Sequence, residues 1–306
     1  MGTDCHVVVV ADEPAGKDLL TLATERVEML EQCWSRFRST SALNGLNARA
    51  GQGPIPVSPD LLLLVSRMKQ AWSMSNGLFD PTVLSSMTAL GYDADFDIVK
   101  SRPDAAILDA VMLSASPGMS GVIVDEVAST VALPDGVGID PGAIGKGLAA
   151  DTVATELYDA GADGVLVNLG GDLAFIGTTA DGAGWAIGVE DERRSVADPE
   201  RIIRRFEFPD GATTAGVATS TTLKRRWAQG RRHHVIDPRT GSMSISDLVQ
   251  VTVVSDEAWQ AEVLATTALL MTSDEAERWL RDSDITAILL TADNAVVTTD
   301  EEERHG

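Results

Sequence analysis

Apolar residues recur at helical spacing in the first third of the chain. Leu20, Ala23, Val27, Leu30, Trp34 and Phe37 form one stripe and predict an amphipathic helix from about Lys17 to Phe37. A second helix is predicted to begin at Ser58-Pro59, a capping hydroxyl followed by proline at the first helical position. Its stripe is Leu61, Leu64, Val65, Met68 and Trp72, and Ser75-Asn76-Gly77 is a left-handed stop signal. From Met119 to Ile139 the period shortens to that of strands. Val122–Val124 and Thr130–Leu133 flank polar turn residues, and Pro134-Asp135-Gly136 follows.

Beyond this point helices and strands intermix. Ala143–Asp159 reads as a helix stopped by Gly161, and Val165–Asn168 as a strand ending in Gly170-Gly171-Asp172. Trp185–Val189 and Ile202–Phe208 read as strands around a charged loop. Gly216–Trp227 and Arg232–Ile236 read as a hairpin turning near Gln229-Gly230. Val249–Val254 is a predicted strand, Asp256–Met271 a predicted helix, and Ile285–Leu290 pairs with Ala295–Thr298 across Asp293-Asn294. Strands in hairpin-like pairs, with helices between some of them, predict an α+β fold with largely antiparallel sheets and packed helices. No Pro/Gly/Ser linker divides the chain. The expectation is one domain over residues 1–299 and a charged, frayed tail from Asp300 to Gly306.

Composition narrows the function classes. Across 306 residues, 24 basic side chains face 46 acidic ones, for a formal charge of −22. Such a surface repels nucleic acid and anionic membranes. Two cysteines, Cys5 and Cys33, cannot build a disulfide framework. No apolar run reaches the roughly 18 residues of a membrane span. The first residues lack the charged and apolar regions of a secretory leader, so the expectation is a cytoplasmic location, unless a leader precedes these residues.

Five features carry candidate chemistry. Gly138-Ile-Asp-Pro-Gly-Ala-Ile-Gly-Lys-Gly147 joins glycines, a lysine and a helix start, which suits an anion. It matches neither the Walker A loop nor the dinucleotide fingerprint, and it equally suits a structural turn. Asn168-Leu-Gly-Gly-Asp172 lets a backbone or ligand approach closely, or is an ordinary loop. Thr219-Ser220, Lys224-Arg225-Arg226 and Arg231–Gly241 concentrate cations and two histidines in an acidic chain, as an anion site or as a solvated hairpin. His233 and His234 face opposite sides of a strand, and His234, opening His-Val-Ile-Asp-Pro, is the better candidate for a site. Glu262 and Thr266 share one face of a predicted helix, as oxygen donors for a hard cation or as an unrelated pair. Phe37–Asn44 and Gly77–Val83 offer an aromatic ring and small polar residues for a planar ligand, or are helix exits.

The order of these motifs resembles the ApbE family of FAD:protein FMN transferases. The resemblance runs from Met1-Gly-Thr through Ser41-Ala-Leu-Asn44, Gly77–Val83, Asp140–Gly147, Val167–Leu173, Ala218–Ser220 and His234–Gly241 to Ala261-Glu-Val-Leu-Ala-Thr266. It implies an α+β fold related to the T-fold. It also implies Mg²⁺-dependent transfer of FMN from FAD to a Thr or Ser of an acceptor protein through a phosphoester, with AMP released. By position, Met1, Phe37, Ser41, Leu78, Phe79, Asp80, Asp140, Lys146 and His234 would line the FAD site. The Ala143 carbonyl, Glu262 and Thr266 would hold the metal, and His234 and Lys146 would be catalytic. Acceptors in the family carry a short Ser/Thr motif and are often subunits of membrane redox complexes. Two positions depart from the family pattern: Glu262 stands where Asp is usual, and Thr221 stands where Gly often follows Thr-Ser.

The chemistry agrees with the residues. Phosphoryl transfer needs mainly positioning and neutralisation of charge. A near-neutral imidazole can take the acceptor's proton. The rival readings are hydrolysis of FAD to FMN and AMP, and FAD binding without catalysis.

Overall fold

The computed structural model describes residues 3–102 and 113–300. Met1, expected at the FAD site, and the expected tail from residue 301 onward lie outside them. These residues gather into two compact units. The first comprises residues 28–145 and 224–245, the second residues 3–27, 146–223 and 246–300.

The second unit is built on a seven-stranded antiparallel sheet. Its strands are β1 (Cys5–Val10), β5 (Gly164–Leu169), β6 (Asp172–Gly177), β9 (Ala212–Thr221), β12 (Leu248–Ser255), β13 (Ala287–Thr291) and β14 (Val296–Thr298), hydrogen-bonded in that order. Gly170 and Gly171, with φ of 67° and 101°, form the two-residue turn between β5 and β6, where side chains would be strained. Alternation along β9 sorts the two faces of the sheet. Gly216 meets helix α7 (Ala258–Ala268), while Val217 packs with Phe175, Trp185 and Ile187. Trp185 and Ile187 belong to a ribbon of β7 (Trp185–Glu190) and β8 (Ile202–Phe208), whose Phe208 ring lies 4.6 Å from that of Phe175. Each such buried apolar side chain contributes about 1.5–3 kcal/mol. The unit also holds α8 (Ser273–Asp282) and, from Lys146 onward, α6 (Gly145–Asp159).

The first unit holds α2 (Ala42–Asn47), α3 (Pro59–Met74), α4 (Leu84–Ala89) and α5 (Phe96–Lys100). It also holds a small sheet of β2 (Ile55–Pro56), β4 (Thr130–Ala132) and β3 (Ile123–Asp125), and the pair β10 (Arg226–Trp227) and β11 (Arg232–His233). Ser58 caps α3 by accepting from Leu61 N, and of the predicted stripe Leu61, Leu64, Val65 and Met68 are buried while Trp72 is half-buried. Met87, Leu90, Tyr92, Val99, Trp227 and Ile236 form an apolar cluster of this unit.

Several predicted elements differ. Helix α1 runs from Glu13 to Trp34, and Phe37 lies beyond it. Asn44 explains the exit, because its side-chain amide donates to the carbonyls of Arg36 (2.8 Å) and Arg38 (2.9 Å) and turns the chain there. Leu19 rather than Leu20 is buried on α1. The predicted hairpin Gly216–Trp227 is two elements: β9 pairs with β6 and β12, and only β10 pairs with β11. The predicted helix Asp256–Met271 is α7 alone. Thr272 then caps α8 in a capping box with Glu275, an element the sequence reading missed. No helix among the described residues is long and apolar enough to cross a membrane.

Candidate active site

In the second unit, three charged side chains meet at the start of α6. Lys146 Nζ donates to Glu262 Oε1 at 2.7 Å and to Asp172 Oδ2. Glu262 Oε2 accepts from Gly147 N at 2.8 Å. The lysine is on the first turn of α6, the aspartate opens β6 after the glycine turn, and the glutamate is one turn into α7. Gly147 lets α6 and α7 approach, since a Cβ there would lie 2.5 Å from Ala258 O. Both carboxylates are almost fully buried, whereas Lys146 keeps 19% of its side chain exposed.

Burial pushes the Glu262 carboxyl up to about 8; the charge of Asp172 adds to this, and Lys146 and the Gly147 N–H oppose it. For Lys146, burial lowers the pKa, but the charges of Asp172 and then Glu262 outweigh it and hold the ammonium above its usual range. One turn beyond Glu262, the Thr266 hydroxyl shares a 2.8 Å hydrogen bond with Ser220 Oγ on β9.

This donor set fits a hard cation. It offers carboxylate and hydroxyl oxygens, and Asp172 Oδ1 is buried with no hydrogen-bond partner. No group of three or more His, Cys, Asp and Glu side chains that could hold a metal occurs among the described residues. A hard cation that keeps waters and takes one or two carboxylates would suit such a donor set.

The first unit carries the remaining candidates. Asp80 is buried and accepts from Thr82 N (2.9 Å) and Thr82 Oγ1 (2.7 Å). Burial raises its pKa against those hydrogen bonds. Asp140 N donates to Pro81 O at 2.8 Å, which ties the two aspartate loops together. Asp140 Oδ1 accepts from Gly142 N at 2.8 Å, and its Oδ2 lies 2.9 Å from Arg36 Nε in an ion pair buried on both sides. Arg36 stacks over the rings of Phe37 (4.1 Å) and Tyr92 (4.4 Å) and donates to Tyr92 O.

Ser41 is buried with its hydroxyl capping α2, so its oxygen already accepts from Asn44 N. Leu78 is half-buried, and Phe79 is buried. Ala143 is half-buried in the loop before α6. His233 is buried on β11, with its pKa lowered by burial and then by Arg226, and His234 is half-buried beside it. The structure thus brings Lys146 and Glu262 together, and Asp80 with Asp140.

Three participants received no role from the sequence. Asp172 stood inside a motif, and its only signal was a carboxylate directly after a glycine turn. Arg36 was a single cation at the end of an apolar stripe. Ser220 lay in the Thr-Ser pair, with nothing to indicate Thr266 as its partner.

The ApbE family model matches residues 1–289 of this chain. The chain belongs to the ApbE family. A Treponema pallidum member named FAD:protein FMN transferase is 28% identical over 302 residues, covering 92% of this chain and 80% of its own. A Vibrio cholerae protein of the same name is 26% identical over 278 residues, with coverages of 89% and 79%. Among solved structures, the ApbE protein of Thermotoga maritima superposes with a TM-score of 0.81 at 22% identity, covering 98% of this chain and 94% of that one. The flavin transferase ApbE of Vibrio cholerae superposes with a TM-score of 0.74 at 22% identity and the same coverages. These matches establish an ApbE fold, α+β with antiparallel sheets.

Proposed function

We propose that this ApbE-family protein transfers the FMN half of FAD to a Ser or Thr hydroxyl of an acceptor protein, forming a phosphoester and releasing AMP, with Mg²⁺ as cofactor. The observation that carries the reading is the buried cluster of Lys146, Asp172 and Glu262 at the N-terminal turn of α6. A molecule with a charge of −22 repels a diphosphate. The ammonium and the free amides at the start of a helix are the local groups that attract anionic oxygens. Relatives named FAD:protein FMN transferase support the choice of substrate.

Roles follow from the chemistry of each group. Lys146 neutralises diphosphate oxygens as charge builds on the departing AMP. Glu262 and Thr266 supply oxygen ligands to Mg²⁺, which when bound would draw charge from the phosphoryl oxygens. In the first unit, His234 accepts the acceptor's hydroxyl proton, and Phe37, Leu78, Phe79, Asp80 and Asp140 contact FAD. The acceptor is a protein with a Ser/Thr flavinylation motif, such as a subunit of a membrane redox complex.

The test is incubation of the protein with FAD, Mg²⁺ and a candidate acceptor. The expected result is an acceptor heavier by one FMN, with one AMP released per transfer. Free FMN and AMP without modified acceptor would favour hydrolysis. FAD binding with no AMP at all would leave a carrier.

A further inference from the structure

Helix α7 has an unusual beginning. Its N-cap position is Glu257, whose side chain caps nothing. The free amides of the first turn are instead taken by a residue of another helix. Asp151 on α6 accepts from Ala258 N at 2.8 Å through Oδ1 and from Trp259 N at 2.9 Å through Oδ2. The exchange is reciprocal, because Glu262 on α7 accepts from Gly147 N in the first turn of α6. Each helix thus has N-terminal amides bound by a carboxylate of the other.

Two glycines make room for this arrangement. A Cβ at Gly147 would lie 2.5 Å from Ala258 O, and one at Gly216 on β9 would lie 2.2 Å from Ala258 N. The first residue of α7 is therefore held by α6, by β9 and by the Asp151 carboxylate. Trp259, the next residue, is fully buried. Glu262 follows one turn later, so any slide or rotation of α7 moves its carboxylate relative to Lys146 and Gly147.

We infer that Asp151 is a positioning residue: by capping α7 from α6 it sets the register at which Glu262 meets Lys146 and Gly147. Its influence on metal binding rests on the flavin-transfer reading; its influence on the Glu262–Gly147 contact does not. Groups that orient metal ligands from behind typically change metal affinity about 10–100-fold when removed. An ordinary helix cap would change only stability.

Asp151→Asn tests this, because it keeps the size of the side chain but lets only one of the two amides be accepted. Thr272→Ala is the control, since it removes the cap of α8 in the same unit. Amide hydrogen exchange at Gly147, read against Val251 in the central strand, reports the Glu262 contact without any metal. Calorimetric titration of MgCl₂ into the FAD-loaded protein reports the ligand site.

The expected result for Asp151→Asn is Gly147 exchange at least about tenfold faster relative to Val251, and Mg²⁺ binding at least about tenfold weaker. Thr272→Ala should move neither ratio at a comparable loss of melting temperature. Unchanged Gly147 exchange in Asp151→Asn would overturn the inference, as would equal changes in the control. Should Asp151→Asn fail to fold, Asp151→Glu keeps the charge and shifts it by one methylene, and the same two readouts decide. Wild-type protein that takes up no Mg²⁺ would sink the metal part of the proposed function, while the exchange comparison would still judge Asp151.

Discussion

Replacing Glu262 by glutamine isolates the proton that the buried cluster holds. The glutamate carboxyl moves from an ordinary 4.5 in the unfolded chain to about 8 in the fold. A raised carboxyl contributes stability that is fully present below the unfolded value and is lost as pH rises through the folded one. The window therefore runs from 4.5 to about 8. Within it the slope approaches about 1.4 kcal/mol per pH unit for one proton. Between about pH 5 and pH 7.5 the wild type should lose roughly 3 kcal/mol that the Glu262→Gln variant does not lose. The pKa of Lys146 is raised above its usual 10.5, so the lysine stays charged throughout the window and does not alter the slope. Urea unfolding of both proteins in EDTA, repeated at steps of pH, measures the difference directly. A wild-type-minus-variant stability that stays flat across the window would refute the buried, proton-holding cluster.

Other perturbations test separate parts of the account. His234→Ala should slow transfer by about 10²–10⁴-fold with an unchanged FAD dissociation constant, and a wild-type rate would reject the residue as base. Gly147→Ala would stabilise an ordinary helix by about 1 kcal/mol, but here the new Cβ meets backbone, so thermal unfolding should show a loss of about 1–3 kcal/mol. Arg36→Met strands the buried Asp140 carboxylate and should cost about 3–5 kcal/mol in denaturant unfolding; an unchanged midpoint would mean the ion pair is immaterial.

What was legible in the sequence was local. Ser58-Pro59 and the stripe behind it defined α3 because capping and periodicity act within a few residues. Gly170-Gly171 marked the β5–β6 turn for the same reason. The end of α1 was misread because Phe37 continues the apolar spacing while the Asn44 side chain, outside the helix, decides where it stops. Helix α8 was missed because Ser273–Asp282 is mostly polar and buries only Ala276 and Leu280, so no apolar stripe announces it, and its capping box with Thr272 is the one local signal. In the candidate site, Lys146 and Glu262 each stood in a motif of the sequence. Their contact spans 116 positions, and that between Lys146 and Asp172 spans 26, so no spacing rule could have joined them. Glu262 in place of the family's usual Asp raised a question of reach. The structure shows its carboxylate meeting both Lys146 Nζ and Gly147 N.

In the proposed function, one acidic side chain of α7, joined by a lysine and a divalent ion, makes a strongly negative protein receptive to a diphosphate. Flavin fluorescence titration measures it most directly, with FAD added to wild type and to Glu262→Ala, each with and without Mg²⁺. Mg²⁺ should tighten FAD binding to the wild type by about tenfold or more and leave the variant unchanged. Equal tightening in both proteins would place the metal elsewhere and contradict the account.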